Sequence, residues 1–226
     1  MSKRDVKRAS KCEKILNAAF KVFTEHGYAG ASMDLIATKS RVSKPTVYQY
    51  FGSKQDLFAS VMKRGDVMLK PFQTPSPTGM VGELHAFAWA YADIVMNPEF
   101  LSLARLVIGE AQRFPEIGRA YQKAGPDRIL AAMIAYLGQR RDDGKLKFDD
   151  AELAAQDLWA LILSAPRNTA LHIPDAVPTR REIKRSIDNG LKIFLAAYSL
   201  NSAVDIEQLR HIIKDKKDAR KHHDAR

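Results

Sequence analysis

Apolar residues in the first sixty positions recur every three or four places. Ile15, Leu16, Ala19, Phe20, Val22 and Phe23 share one face of a predicted helix, which Gly27 closes. Ser32 can cap a second helix carrying Leu35 and Ile36, and only Lys39 to Val42 separate that helix from a third. The third starts at Ser43, a preferred N-cap, with Pro45 in the first turn, where a backbone N–H has no intrahelical partner. Val47 and Phe51, four apart, supply its buried side. Lys44, Thr46, Tyr48, Gln49 and Tyr50 put a cation, hydroxyls and an amide on its exposed surface. Gly52 ends it, and Ser53 with Asp56 resembles a capping box opening a fourth helix through Leu57, Phe58, Val61 and Met62, predicted to run from Ser53 to Lys70.

Two short helices joined by a tight turn, the second presenting polar side chains, form a helix-turn-helix whose second helix enters the DNA major groove. The alternative for Tyr48 and Tyr50 is that they pack the three-helix core, although Val47 and Phe51 already fill the apolar face.

Residues 70–79, KPFQTPSPTG, carry three prolines and read as a linker. Five helical stretches follow: Met80 to Met96, Glu99 to Arg113, Ile117 to Asp142, Asp149 to Asn168 and Thr179 to Leu200. No alternating pattern suggests a sheet. The expected fold is all-α, with a helix-turn-helix domain over 9–70, a helical sensing and dimerisation domain over 79–200, and a basic tail over 201–226. That tail either forms a further helix through Ile206, Leu209, Ile212 and Ile213 or trails in solution.

Residues 9 to 64 resemble the DNA-binding domain of the TetR family of bacterial transcriptional regulators. The likeness rests on helix 1, Gly27, Ser32 to Ala37, Val42, Ser43, Thr46, Tyr48, Tyr50, Phe51, Ser53 and Lys54, in that order. It implies that Ser43, Lys44, Pro45, Thr46, Tyr48 and Gln49 face DNA, the last five meeting base edges or thymine methyls. Tyr50 and Lys54 would hold phosphates, and Ser32 and Met33 would lie near the backbone. Arg41 stands where the family often has Gly, so the turn is looser or gains a phosphate contact. Asp34 stands where some relatives place a base-reading Arg, and is expected to repel phosphate or organise a neighbour.

The segment from Ala104 to Leu146 resembles the C-terminal domain of the AefR-like branch of the same family. The resemblance implies a homodimer in which the last two long helices pair with their copies. Leu153, Leu158, Leu161 and Ile162 on one, and Ile183, Ile187, Leu191, Phe194 and Leu195 on the other, have the required spacing, with Thr179 and Glu182 forming a capping box. The same stripes would equally serve to pack one subunit.

Charge follows this division. Residues 1–64 hold 13 Lys and Arg against 5 Asp and Glu, residues 65–200 hold 16 against 16, and residues 201–226 hold 7 against 5. The excess therefore sits where a polyanion would be met, which argues against a sequence-indifferent DNA compactor. Lys3, Arg4, Lys7, Arg8 and Lys11 make the start a disordered arm along DNA or a solvated basic tail. With 46% apolar residues, one cysteine (Cys12), no apolar run near 18 residues and no signal-peptide core, the chain is expected in the cytoplasm without a membrane partner.

A sensor cavity would draw on Phe87, Trp89, Tyr91, Phe100, Arg105, Tyr121 and Trp159, though aromatic residues at helical spacing are also ordinary core. Glu110 and Arg113 are expected to pair on a helix surface. His85 and His172 read as satisfied histidines, and His222 and His223 beside Asp224 lack zinc-site spacing, so neither metal nor cofactor is expected. No catalytic fingerprint occurs. The expected function is a homodimeric repressor that binds a palindromic operator and is released by a small-molecule effector. The alternative is a helical enzyme or small-molecule carrier without specific DNA binding.

Overall fold

The computed structural model describes residues 3–62 and 68–221. Helices form throughout: α1 Lys3–Gly30, α2 Met33–Ser40, α3 Lys44–Phe51, α4 Lys54–Met62, α5 Lys70–Gln73, α6 Gly79–Val95, α7 Pro98–Glu110, α8 Pro115–Ala124, α9 Pro126–Asp142, α10 Ala151–His172, α11 Arg180–Tyr198 and α12 Ser202–Lys221. Among the described residues there is no strand, only an isolated bridge between Leu146 and Ser199. The all-α expectation holds.

The chain divides into two compact units. One comprises α1 to α4 with residues 98–128, and the other residues 68–97 and 129–221. Residues 98–128, grouped with the second domain on sequence, thus pack with the first. The reason is apolar: Leu103, Val107, Ile117 and Ala124 are buried in the same cluster as Ile15, Val22, Phe23, Ile36, Val47, Leu57 and Phe58. At its centre Phe23 meets Phe58 edge-on at 5.1 Å, and Tyr28 meets Phe58 at 5.4 Å and Phe114 at 5.5 Å. Phe23 and Phe58 are fully buried, each worth about 1.5–3 kcal/mol of apolar transfer.

Two further expectations change, and one open alternative is decided. The N-terminus is helical from Lys3, not a disordered arm. The helix expected from Ile117 to Asp142 is two, because Pro126 cannot continue α8 and Gly125 leaves helical geometry (φ −121°, ψ −85°). The segment after Asn201 is not a free tail: α12 packs on α11 and α6, with Leu209 buried. The helix expected from Ser53 to Lys70 is seen as α4 to Met62. Residues 63–67, like His222, His223 and Asp224, lie outside the described residues.

In the second unit, Asp150 caps α10 through Glu152 and Leu153 N–H at 2.8 and 3.1 Å. The capping box of α11 forms as expected, with Thr179 N–H donating to Glu182 Oε2 at 2.7 Å. α10 and α11 pack closely because Gly190 has no side chain: a Cβ there would collide with the Leu161 carbonyl. Leu158, Ile162, Ile183, Ile187, Leu191, Phe194 and Leu195 are buried within this single chain, so most of the stripes assigned to a dimer face are internal core. Leu153, Ile193 and Leu200 remain exposed.

Candidate nucleic-acid interface and sensor cavity

Ser32 begins the interface by capping α2, its Oγ accepting the Leu35 N–H at 3.1 Å. At the other end Arg41 adopts the left-handed conformation (φ 55°, ψ 38°) that glycine usually supplies, and Val42 N–H reaches the Ala37 carbonyl at 3.1 Å. The turn is therefore tight despite Arg41, and the arginine side chain is exposed. α3 follows with Pro45 in its first turn. Ser43 makes no side-chain cap; its hydroxyl pairs with that of Thr46 at 2.8 Å. Val47 and Phe51 are buried, whereas Ser43, Lys44, Pro45, Tyr48 and Gln49 are exposed and Thr46 is half-buried. Tyr48 keeps 43% of its surface open, so it is not core.

Charged neighbours shape this face. Lys44 Nζ donates to Asp34 Oδ2 at 2.9 Å and stands 2.8 Å from Oδ1 as an ion pair, and this bonding raises the Lys44 pKa. Asp34 thus organises Lys44. Tyr50 Oη donates to the Arg8 carbonyl at 3.4 Å, and the Arg8 guanidinium lies 5.9 Å from the Tyr50 ring. Tyr50 ties α3 to α1.

Two residues expected near DNA have side chains turned toward the protein. The Met33 side chain is 6% exposed and belongs to the core, because α2 turns it inward beside Ile36 and Ala37. Lys54 directs its ammonium inward, donating to the Tyr28 carbonyl at 2.7 Å and the Ala31 carbonyl at 3.0 Å while sitting 4.3 Å from the Tyr28 ring centre. It thus satisfies carbonyls at the end of α1, and burial lowers its pKa.

Glu110 completes the arrangement from α7. Its Oε1 accepts the Tyr28 N–H at 2.8 Å and its Oε2 the Ala29 N–H at 3.1 Å, just past the break in α1 at Gly27 (φ 70°, ψ 174°). The expected Glu110–Arg113 pair is not what forms; Arg113 lies over the Phe114 ring at 5.2 Å.

A concavity of the second unit, about 640 Å³, lies along α10. Tyr91, Trp159, Leu163 and Leu171 give it apolar walls, and Gln156, Ser164, Arg167 and Asn168 add polar groups. Tyr91 and Trp159 meet edge-on at 6.0 Å. Of the seven sensor candidates, only these two line it. Phe87 is fully buried and stacks on Phe72 at 4.4 Å, and Trp89 Nε1 donates to His85 Nε2 at 3.2 Å with Arg180 over its ring at 4.5 Å. Phe100, Arg105 and Tyr121 belong to the first unit. Helical spacing could not separate these environments, and the polar groups of α10 were missed because they carry no motif.

A second concavity, about 420 Å³, is bounded by Phe72, Glu83, Tyr136 and Arg140. Buried Glu83 accepts from Tyr136 Oη at 2.6 Å and from Ser76 N–H at 3.1 Å, with Arg140 at 3.5 Å. Burial foremost, then the bond to Glu83, raises the Tyr136 phenol. Among the described residues no three metal-ligating side chains cluster, and no helix is long and apolar enough to cross a membrane.

The family profile of AefR-like transcriptional repressors, C-terminal domain, matches residues 82–200, more than half of the chain, and that of bacterial regulatory proteins of the tetR family matches residues 15–61. The chain belongs to the TetR family. A TetR-family regulator from Mesorhizobium loti MAFF303099 is similar in structure, with 32% identity and a TM-score of 0.73 over 85% of this chain and 98% of the other. The flavonoid-responsive regulator FrrA is 29% identical with a TM-score of 0.66, over 85% and 99%. The HTH-type transcriptional repressor NicS of Pseudomonas putida KT2440 is 34% identical over 98 residues, which are 40% of this chain and 45% of NicS. As a TetR-family member the chain is a helix-turn-helix transcriptional regulator and not an enzyme. The tetR-family profile begins at residue 15, so the first turns of α1 lie outside it.

Proposed function

We propose that the chain is a homodimeric repressor that occupies a palindromic operator and leaves it when a small aromatic molecule binds the second unit. The observation that carries the reading is α3: a short helix anchored by buried Val47 and Phe51 that presents Lys44, Thr46, Tyr48 and Gln49 outward. Gln49 can bond adenine bidentately, Thr46 and Pro45 can touch thymine methyls, and Ser32 and Arg41 are the residues expected to meet phosphates. One eight-residue helix reads few bases, so specificity needs a two-fold pair with half-sites about one 34 Å turn, or a multiple, apart. Leu153 and Ile193, with the small exposed residues Ala196 and Ala197, offer α10 and α11 as the face for a second copy.

FrrA's flavonoid response supports a planar aromatic effector here, since Trp159 and Tyr91 offer ring faces and edges beside amide and hydroxyl groups. The route to DNA is covalent. α7 and α8 pack with the DNA-reading helices yet continue in sequence from α6 and into α9 of the second unit, and Glu110 at the end of α7 holds α1. A coupling of about 1.4 kcal/mol changes operator affinity tenfold, and operator weakens effector equally. The test is in-vitro transcription from the operator-bearing promoter with a panel of flavonoids and simple phenols. Repression relieved by one of them, with operator affinity falling in parallel, is expected; effector binding that leaves operator affinity unchanged defeats the proposal.

A further inference from the structure

Lys7, Arg8 and Lys11 lie exposed on the first turns of α1, at spacings that keep them on one side of the helix. With Gln49 and Tyr50 they border a depression of about 350 Å³, so the stripe is continuous with the face of the recognition helix. Its position is held by the Tyr50 hydroxyl on the Arg8 carbonyl and by the Arg8 guanidinium over the Tyr50 ring. Unlike a loose basic tail, these cations are carried on a helix bonded to α3.

We propose that the first turns of α1 are a second DNA-binding element, which grips the phosphate backbone flanking each half-site. This rests on the operator-binding reading of α3. Charge complementarity names the occupant: the stripe lies in the segment that holds 13 basic against 5 acidic residues, and duplex DNA carries one negative charge per about 1.7 Å of axis. Lys7 to Lys11 spans about 6 Å of helix, close to two phosphate steps along the axis of one strand. The element supplies affinity and register, and no base readout, because lysines and an arginine on backbone phosphates carry no sequence information.

The test uses the full chain and a variant carrying Lys7→Gln, Arg8→Gln and Lys11→Gln. Both are titrated over a range of salt against the selected operator and against the same operator extended on each flank by about half a helical turn. Wild-type protein should bind the extended duplex more tightly. The variant should lose that gain, and its log-affinity against log-salt slope should be shallower by about 5, from three contacts in each of two subunits. Its sequence preference should match the wild type, its melting temperature should fall by no more than the lost Arg8–Tyr50 ring contact explains, and hydroxyl-radical cleavage of the flanks should reappear. Equal slopes and equal flank protection in a folded variant overturn the proposal. Failure of wild-type protein to select any duplex overturns the operator reading and this proposal with it, and that outcome is distinct because it precedes any comparison of flanks.

Discussion

Glu110 holds the backbone of Tyr28 across 82 positions of sequence, its Oε1 accepting the Tyr28 N–H at 2.8 Å. The carboxylate acts as an N-cap supplied from another helix, for the turn that restarts after Gly27. Gly27 makes room for it: a Cβ there would stand 2.5 Å from Glu110 Oε1, at a φ that disfavours other residues.

Glu110→Ala should therefore lower unfolding stability by about 1–2 kcal/mol, as measured by urea titration, since two amides lose a charged acceptor. Gly27→Ala should lower it too, and combining the two should cost less than the sum, because removing the carboxylate relieves the clash. Strict additivity would show that the two residues are not coupled.

Lys54 has two donors engaged on the carbonyls of Tyr28 and Ala31. Lys54→Met should cost about 2–3 kcal/mol of stability and leave the salt slope of DNA binding nearly unchanged, whereas Gln49→Ala should alter base preference with stability intact. A Lys54 variant of normal stability with a flattened salt slope would return this residue to the phosphates.

Burial, assisted by the carboxylate of Glu116, lifts the Tyr28 phenol to about 12. The folded protein thus holds this proton more tightly than the unfolded chain, whose tyrosines titrate near about 10. The resulting stability is complete below about pH 10 and is lost as pH rises through about 12. Tyr136 contributes in the same sense, and Lys54, lowered by burial, in the opposite one. Urea unfolding across this window should show Tyr28→Phe losing less stability than wild type. An unchanged loss would place the alkaline sensitivity elsewhere.

Arg41 spends energy on a left-handed backbone. Arg41→Gly should raise stability by about 0.5–1 kcal/mol, the conformational relief less the extra entropy of glycine in the unfolded chain, while weakening DNA binding if the guanidinium meets a phosphate. Calorimetry and a salt titration separate the two effects.

The DNA-reading half was legible because its signals are local: Ser32, Gly52 and the Val47–Phe51 pair each act within a turn or two of themselves. Packing partners were not. Nothing near Leu103 or Ile117 announces that their side chains complete the core around Phe23, and nothing near Glu110 announces a partner 82 positions away. The phosphate role of Lys54 is what the family resemblance implies, and only the tertiary fold reveals the two carbonyls its ammonium meets. The stripes of α10 and α11 obeyed the helical period whether they met another subunit or each other. Gly190, which allows the second outcome, marks no motif.

The most direct measurement is selection of duplexes from a random pool at near-physiological salt, with Tyr48→Ala carried in parallel. Enrichment of a palindrome by the wild type, lost by the variant, is the predicted result. Salt-sensitive binding with no enriched sequence would contradict the account.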